Sequence, residues 1–217
     1  MALLFDKVAL ITGASRGVGY AAAKKLCEKF PGATIYLTTK NLEITPAINQ
    51  KMREEFAGSA EHCEYLHLDV TNTDNIAEIQ ELIKTRHETL DILINNAGIF
   101  LNPDTSSPEV YGQQATAILG TNYWGLKNVV NGLQDIFTPG ARVVNMSSHL
   151  GHLSMINGEA KQSLHLREML ADTELSEKSL DSLMKQYETL AGQGGWTAGG
   201  WPNCAYTVSK VDIISYL

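Results

Sequence analysis

The chain has 217 residues, 44% of them hydrophobic and 19% charged, enough to bury one sizeable core and too apolar for a disordered polypeptide. Its formal charge of −7 and sequence pI near 5.3 argue against a nucleic-acid or anionic-membrane surface, so a small molecule is the expected partner. Cys27, Cys63 and Cys204 lie far apart, without a CxxC pair or histidines at metal-ligand spacing, and neither a disulfide framework nor a metal site is expected.

The Met1–Lys7 start carries a short apolar run but no basic leader, and no stretch approaches the ~18 apolar residues of a membrane span. A cytoplasmic, reduced protein is the expectation. Lys7 to Thr12 is a β-branched apolar run, and Gly13 breaks it ahead of a helical pattern through Tyr20, Ala23, Leu26 and Phe30. A second strand is expected over 33–38. Thr45 followed by Pro46 reads as the N-cap and first position of a helix ending near Gly58. A third strand follows over 64–68, a helix over 73–87, a fourth strand over 91–95, helices near 110–119 and 122–134, and a fifth strand over 142–146. This alternation predicts an α/β fold of Rossmann type, a doubly wound parallel sheet with helices on both faces and ligands beyond the carboxyl ends of its strands.

Between His149 and Asn203 the pattern becomes polar and mostly helical, with Leu180, Leu183, Met184, Tyr187 and Leu190 on one helix and a glycine-rich end, Gly192 to Pro202, that carries Trp196 and Trp201. No linker or repeat divides the chain. The expected organisation is a single domain, 1–217, with a helical insertion at about 149–203.

Thr12-Gly13-Ala14-Ser15-Arg16-Gly17-Val18-Gly19 sits where the first strand enters a helix. Its spacing is a variant of the dinucleotide fingerprint: Gly13 for a tight turn, Gly17 for approach of a pyrophosphate, Gly19 for close helix packing, and a helix N-terminus to attract the anion. About twenty residues further on, where an NAD enzyme places a carboxylate against the ribose, this chain has Thr38-Thr39-Lys40-Asn41. Lys40, with Arg16, can pair with a 2′-phosphate, which favours NADP(H). Tyr206 and Lys210 are spaced Y-x-x-x-K, on one face of a helix, where an ammonium lowers the phenol pKa and makes it a usable proton donor.

Taken in order, the glycine signature, Asp69 in Leu68-Asp69-Val70, Asn95-Asn96-Ala97-Gly98, Asn122, Ser147-Ser148 and Tyr206 with Lys210 resemble the short-chain dehydrogenases/reductases. Gly200-Trp201-Pro202-Asn203-Cys204-Ala205-Tyr206, and the 57 residues separating Ser148 from Tyr206, resemble the monomeric NADPH-dependent carbonyl reductases among them. The resemblance implies hydride transfer to the carbonyl of a quinone, aldehyde or ketone, with steroids, prostaglandins and pteridines also within the family's range. It makes Tyr206 the general acid, Lys210 its partner and a holder of the nicotinamide ribose, Ser148 the group that orients the substrate oxygen, and Asn122 part of a proton relay from Lys210. Ser147 is the alternative serine, and helix capping is an alternative role for Asn122. Gly13, Ser15, Arg16, Gly17, Val18, Gly19, Lys40, Asp69, Asn95 and Gly98, with Tyr206 and Lys210, are the implied cofactor-binding residues. The helical insertion is implied to cover a face used elsewhere for oligomerisation, giving a monomer. Trp196, Trp201, Tyr123 and Ile99-Phe100-Leu101 are candidates either to line an apolar pocket or to pack a core. His149 and His152 next to the serines do not make a hydrolase, since G-x-S-x-G and a third acidic member are lacking.

The family pattern continues with the rest of the tyrosine helix, two strands, and a helix between them, which this sequence does not contain after Leu217. The sheet is therefore expected without its C-terminal strands, as a fragment or a short isoform, with the outer edge of the fifth strand uncovered. The competing expectation is a truncated, non-catalytic NADP(H)-binding or interaction protein.

Overall fold

The computed structural model describes residues 7–56 and 62–215; the expectations placed on Met1–Asp6 and on Gly58 lie outside the described residues. Two compact units share the chain: Met1–Ala97 with Gly125–Met146, and Gly98–Trp124 with Ser147–Leu217.

The first unit holds the sheet. Strands β1 (Val8–Ile11), β2 (Thr34–Thr39), β3 (Cys63–His67), β4 (Leu90–Asn95) and β5 (Phe137–Asn145) are joined in the order β3-β2-β1-β4-β5, every neighbouring pair parallel. Helices α1 (Gly17–Lys29), α2 (Thr45–Glu55), α3 (Thr73–His87) and α5 (Leu126–Leu133) belong to it. Because successive side chains of a strand point to opposite faces, the strands feed two apolar clusters. Val8, Leu10 and Tyr36 join Ile76, Ile79 and Ile83 of α3 and Val129 and Leu133 of α5. Ala9, Ile11, Ile35 and Leu37 join Tyr20, Ala23 and Cys27 of α1 and Met52 of α2. Both faces are covered over β1 to β4, as the strand–helix alternation requires, whereas no residue of β5 is fully buried and Val143 and Val144 are exposed. The winding reverses between β1 and β4, which puts the ligand-accepting crevice of such a sheet at their carboxyl ends.

Three local expectations are corrected. Strand β5 starts at Phe137 rather than Arg142: Leu90 pairs Phe137 and a register shift follows before Ile92 pairs Arg142, so Pro139 and Gly140, with its φ of +82°, sit in an irregularity that reads as loop in sequence. Thr45 does not cap α2, because a 3₁₀ turn over Leu42–Ile44 runs directly into the helix, Ile44 takes the cap position, and Thr45 Oγ1 is buried without a partner. The thiols of Cys27 in α1 and Cys63 in β3, 36 residues apart, meet as a disulfide; packing of α1 on the sheet makes a pair that linear spacing does not signal.

The second unit is helical: α4 (Pro108–Leu119), a π-helical turn (Gly120–Gly125), α6 (Lys161–Ala171), α7 (Glu177–Gln193) and α8 (Ala205–Ser215). Ser107 caps α4 through its hydroxyl, and Ser176 caps α7. Gly194, at φ +75°, ends α7 and returns its N–H to the carbonyls of Leu190 and Ala191. Helices α4 and α7 approach so closely that a Cβ on Gly112 would stand 2.6 Å from Gly192 Cα. Their shared core gathers Tyr111, Ile118, Met184, Tyr187, Trp196 and Trp201 with Val208 and Val211 of α8. The tryptophans and Tyr123 thus resolve as core: Tyr111 lies against Trp196 at 4.2 Å between ring centroids, Tyr187 against Trp201 at 5.2 Å, and Tyr123 donates to Asp181 at 2.7 Å.

Candidate active site

In the sheet unit the glycine loop is braced from three sides. Thr12 Oγ1 accepts from the N–H groups of Asn96 and Ala97, while the Asn96 side-chain amide donates to the carbonyls of Thr12 and Gly13, each at 2.9 Å. Ala14 N–H donates to Thr38 O, and the Tyr65 hydroxyl donates to Ala14 O at 2.8 Å. Gly13 has φ +63°, and a Cβ there would lie 2.8 Å from Ala97 Cα; a Cβ on Gly19 would run into the Asn96 side chain. Gly17 differs. It has φ +61°, and no atom lies within 4 Å of the point where a Cβ would stand, so its smallness serves no internal contact and leaves its backbone open to approach. Ser15 is half-buried, and Arg16, Gly17 and Val18 are exposed around the first turn of α1. A loop of this form, with free N–H groups at a helix start, fits a dinucleotide pyrophosphate.

Exposed Lys40 closes β2, and Asp69 follows β3. Burial works to raise the Asp69 pKa, but hydrogen bonds from the Thr71 N–H and hydroxyl, with the charges of Lys40 and His67, outweigh it and hold the carboxyl below its usual value. Thr38 to Asn41 offers no carboxylate, yet the fold brings Asp69, from the segment after β3, within electrostatic reach of Lys40. Asn95, at the end of β4, donates to Asn145 Oδ1 at 2.9 Å, and its own Oδ1 is buried without a partner. A buried acceptor left in this way fits a site built for a polar ligand.

The helical unit holds the other group: Gly98, Asn122, Ser148, Tyr206 and Lys210. Asn122 sits inside the π-helical turn, a form that often marks functional positions. It caps no helix; its Oδ1 accepts from Ile99 N–H at 2.8 Å, and its Nδ2 donates to Ile99 O and to Ser209 Oγ, each at 3.0 Å. A Cβ on Gly98 would stand 3.2 Å from Asn122 Oδ1 and 3.8 Å from Lys210 Nζ, so these groups converge on one point. Tyr206 and Lys210 lie one turn apart on α8, with Lys210 Nζ 5.7 Å from the Tyr206 ring centroid. Lys210 is only 5% exposed, and burial pushes its pKa down to about 8. Phe100, half in solvent, meets the Tyr206 ring edge-on at 5.1 Å.

The two serines have different duties. Ser147 donates its hydroxyl to Lys210 O at 3.1 Å and so holds α8, whereas Ser148 accepts from Leu150 N–H at 3.2 Å at the start of a 3₁₀ turn. Ser148 therefore retains a proton to give. The bracing residues Thr12, Thr38, Tyr65 and Asn96, and Ser209 on α8, are the contributors that sequence reading left without a role. Asn96 and Ser209 lie inside quoted motifs, but only their contacts show what they do.

A sequence model of the short chain dehydrogenase family matches residues 7–160. The chain belongs to that family. The chain is 31% identical over 206 residues to carbonyl reductase (NADPH) 1 of Mus musculus, covering 95% of this chain and 70% of the relative. It is 31% identical over 234 residues to short-chain dehydrogenase/reductase 1 of Saponaria officinalis, covering 97% and 74%. In fold it is similar to menthone neomenthol reductase from Mentha piperita, with a TM-score of 0.83 over 97% of this chain and 83% of that one, at 24% identity. The protein is thus an oxidoreductase of the short-chain dehydrogenase family, similar to carbonyl reductases. Among the described residues, no helix of this family member is long and apolar enough to cross a membrane.

Proposed function

We propose that this family member is an NADPH-dependent reductase that converts carbonyl groups of quinones, aldehydes or ketones to alcohols. The observation that carries the reading is the convergence of Tyr206, Lys210, Asn122 and Gly98 in one unit, with a buried lysine whose pKa lies near neutrality. The bound nicotinamide supplies the hydride; the chain supplies binding, orientation and the proton.

The glycine loop from Gly13 to Gly19, with Ser15, Arg16 and Val18, would hold the pyrophosphate, and Lys40 with Arg16 would pair with a 2′-phosphate. Asp69 and Asn95 would contact the adenosine side and the underside of the dinucleotide. Tyr206 would donate its phenolic proton to the carbonyl oxygen, and Ser148 would donate a hydrogen bond to the same oxygen, holding it while negative charge develops. Lys210, as ammonium, favours the phenolate left behind and would bind the ribose hydroxyls. Asn122 fixes the Gly98–Ile99 backbone beside it, and the π-helical turn that carries it would hold a water through which solvent returns a proton by way of Lys210 to the Tyr206 phenolate. Phe100, exposed and edge-on to Tyr206, gives an aromatic substrate a face to lie against. The names of the relatives support NADPH as the cofactor, and the absence of a carboxylate between Thr38 and Asn41 agrees with it.

The test is loss of NADPH absorbance with menadione and with an aromatic aldehyde, in wild type and Tyr206→Phe. Turnover in wild type that vanishes in the variant supports the reading. NADPH binding with no wild-type turnover would favour a non-catalytic binding protein, and undiminished turnover by the variant would remove Tyr206 from the mechanism.

A further inference from the structure

We propose that Ser209 is a positioning residue for the reductase chemistry, acting through Asn122 to hold the Gly98–Phe100 segment against Tyr206; the kinetic part of this inference rests on the function proposed above. Ser209 lies between Tyr206 and Lys210 in the sequence of α8 and is fully buried. Its hydroxyl donates to Tyr206 O at 2.8 Å and accepts from Asn122 Nδ2 at 3.0 Å. Asn122 in turn takes Ile99 N–H at 2.8 Å, and the next residue, Phe100, returns to the Tyr206 ring at 5.1 Å. The contacts form a closed circuit: Tyr206 carbonyl, Ser209 hydroxyl, Asn122 amide, Ile99 backbone, Phe100 ring, Tyr206 ring.

Within that circuit the Asn122 amide is fully used. One of its N–H bonds goes to Ile99 O and the other to Ser209, while its oxygen accepts from Ile99 N–H. Asn122 is 1% exposed, so removing the Ser209 hydroxyl leaves one buried N–H without an acceptor, a costly state that the amide relieves by turning away. Turning breaks its paired bonds to Ile99 and frees both the ring beside the phenol and the backbone beside Lys210. Ser147 and Ser209 thus divide the labour on α8. Ser147 anchors the Lys210 carbonyl from outside the helix, and Ser209 ties the Tyr206 turn to the π-helical turn and the segment after Ala97.

The experiment compares wild type, Ser209→Ala, Ser209→Thr, Asn122→Ala and the double variant Ser209→Ala with Asn122→Ala. Amide hydrogen exchange at Ile99 is measured in the cofactor-free protein, together with kcat, KM and NADPH affinity. Ser209→Ala is expected to speed Ile99 exchange and to lower kcat/KM for an aromatic carbonyl by about tenfold while NADPH affinity stays within about twofold. Ser209→Thr, which keeps the hydroxyl, should restore both. Because the two residues act as one device, the double variant should be no slower than Asn122→Ala alone. Unchanged Ile99 exchange in Ser209→Ala overturns the proposal whether or not the protein turns over carbonyls. Additive kinetic losses overturn it too, since they mean that Ser209 merely supports α8. Absence of wild-type turnover defeats the reductase reading, and with it the catalytic purpose assigned to Ser209, while faster Ile99 exchange would still establish the mechanical link.

Discussion

In the sheet unit the candidate functional groups are mostly backbone: a glycine loop whose shape is fixed by Thr12, Asn96 and Tyr65 and whose open point is Gly17. In the helical unit they are side chains, Asn122, Ser148, Tyr206 and Lys210: Asn122 is held by Ser209, Ser148 by the Leu150 N–H, and Tyr206 and Lys210 by their place one turn apart on α8. The contrast follows from what each must do. An anion is met by many weakly polarised N–H groups whose directions the main chain sets. Proton transfer needs particular atoms at tuned pKa values, and tuning comes from burial and neighbours.

Substitutions can separate the two modes. The largest expected effect is on rate: Tyr206→Phe should lower turnover by about 10²–10⁴-fold while NADPH affinity, measured by fluorescence titration, holds. A variant that lost affinity to the same degree would mean that the side-chain unit also carries nucleotide binding. Met184, fully buried between Tyr187 and the other core residues, sets the next test: Met184→Ala should cost about 2–5 kcal/mol in urea unfolding. All three tryptophans, Trp124, Trp196 and Trp201, lie in the helical unit, so their fluorescence follows that unit directly. Gly19→Ala should cost about 1–3 kcal/mol and weaken NADPH binding, because its Cβ would enter the Asn96 side chain that braces the loop. Smallest in energy, Lys40→Ala should reduce the preference for NADPH over NADH by about tenfold, read as the ratio of the two kcat/KM values.

The same division explains what could be read in advance. Period-two and helical patterning, with glycine and proline punctuation, marks β1 to β4 and α3 because each is a half-buried or fully buried element whose neighbours are of predictable kind. Pro139 and Gly140 hide the first half of β5, since the irregular pairing with Leu90 is made by a partner strand and not by local preference. The Cys27–Cys63 pairing is equally invisible: α1 and β3 meet only through the sheet. For the site, residue types in order suggest Tyr206, Lys210, Asn122 and Ser148 as candidates, with Ser147 as the alternative serine, but they do not show how the hydrogen bonds of Ser147 and Ser148 differ or give Ser209 a contact. Those assignments depend on which hydroxyl faces which carbonyl, and a sequence records neither. Trp196 and Trp201 show the converse, since aromatic residues in a glycine-rich stretch fit a pocket wall or a core equally well until Tyr111 and Tyr187 are seen against them.

Lys210 links acidity to folding in a direction opposite to its link with activity. Its pKa is about 8 in the folded chain against an ordinary 10.5, so between these values the unfolded chain binds the additional proton. The contribution of Lys210 to stability then rises with pH across that window, having been unfavourable below it. On the proposed mechanism carbonyl reduction uses the ammonium, and activity should then fall as pH passes about 8. Comparing wild type with Lys210→Met isolates the effect: their difference in unfolding free energy should shift in favour of wild type from about pH 8 to about pH 10, while wild-type reductase activity declines. The protonated lysine that the proposed reaction would use is the form that burial disfavours.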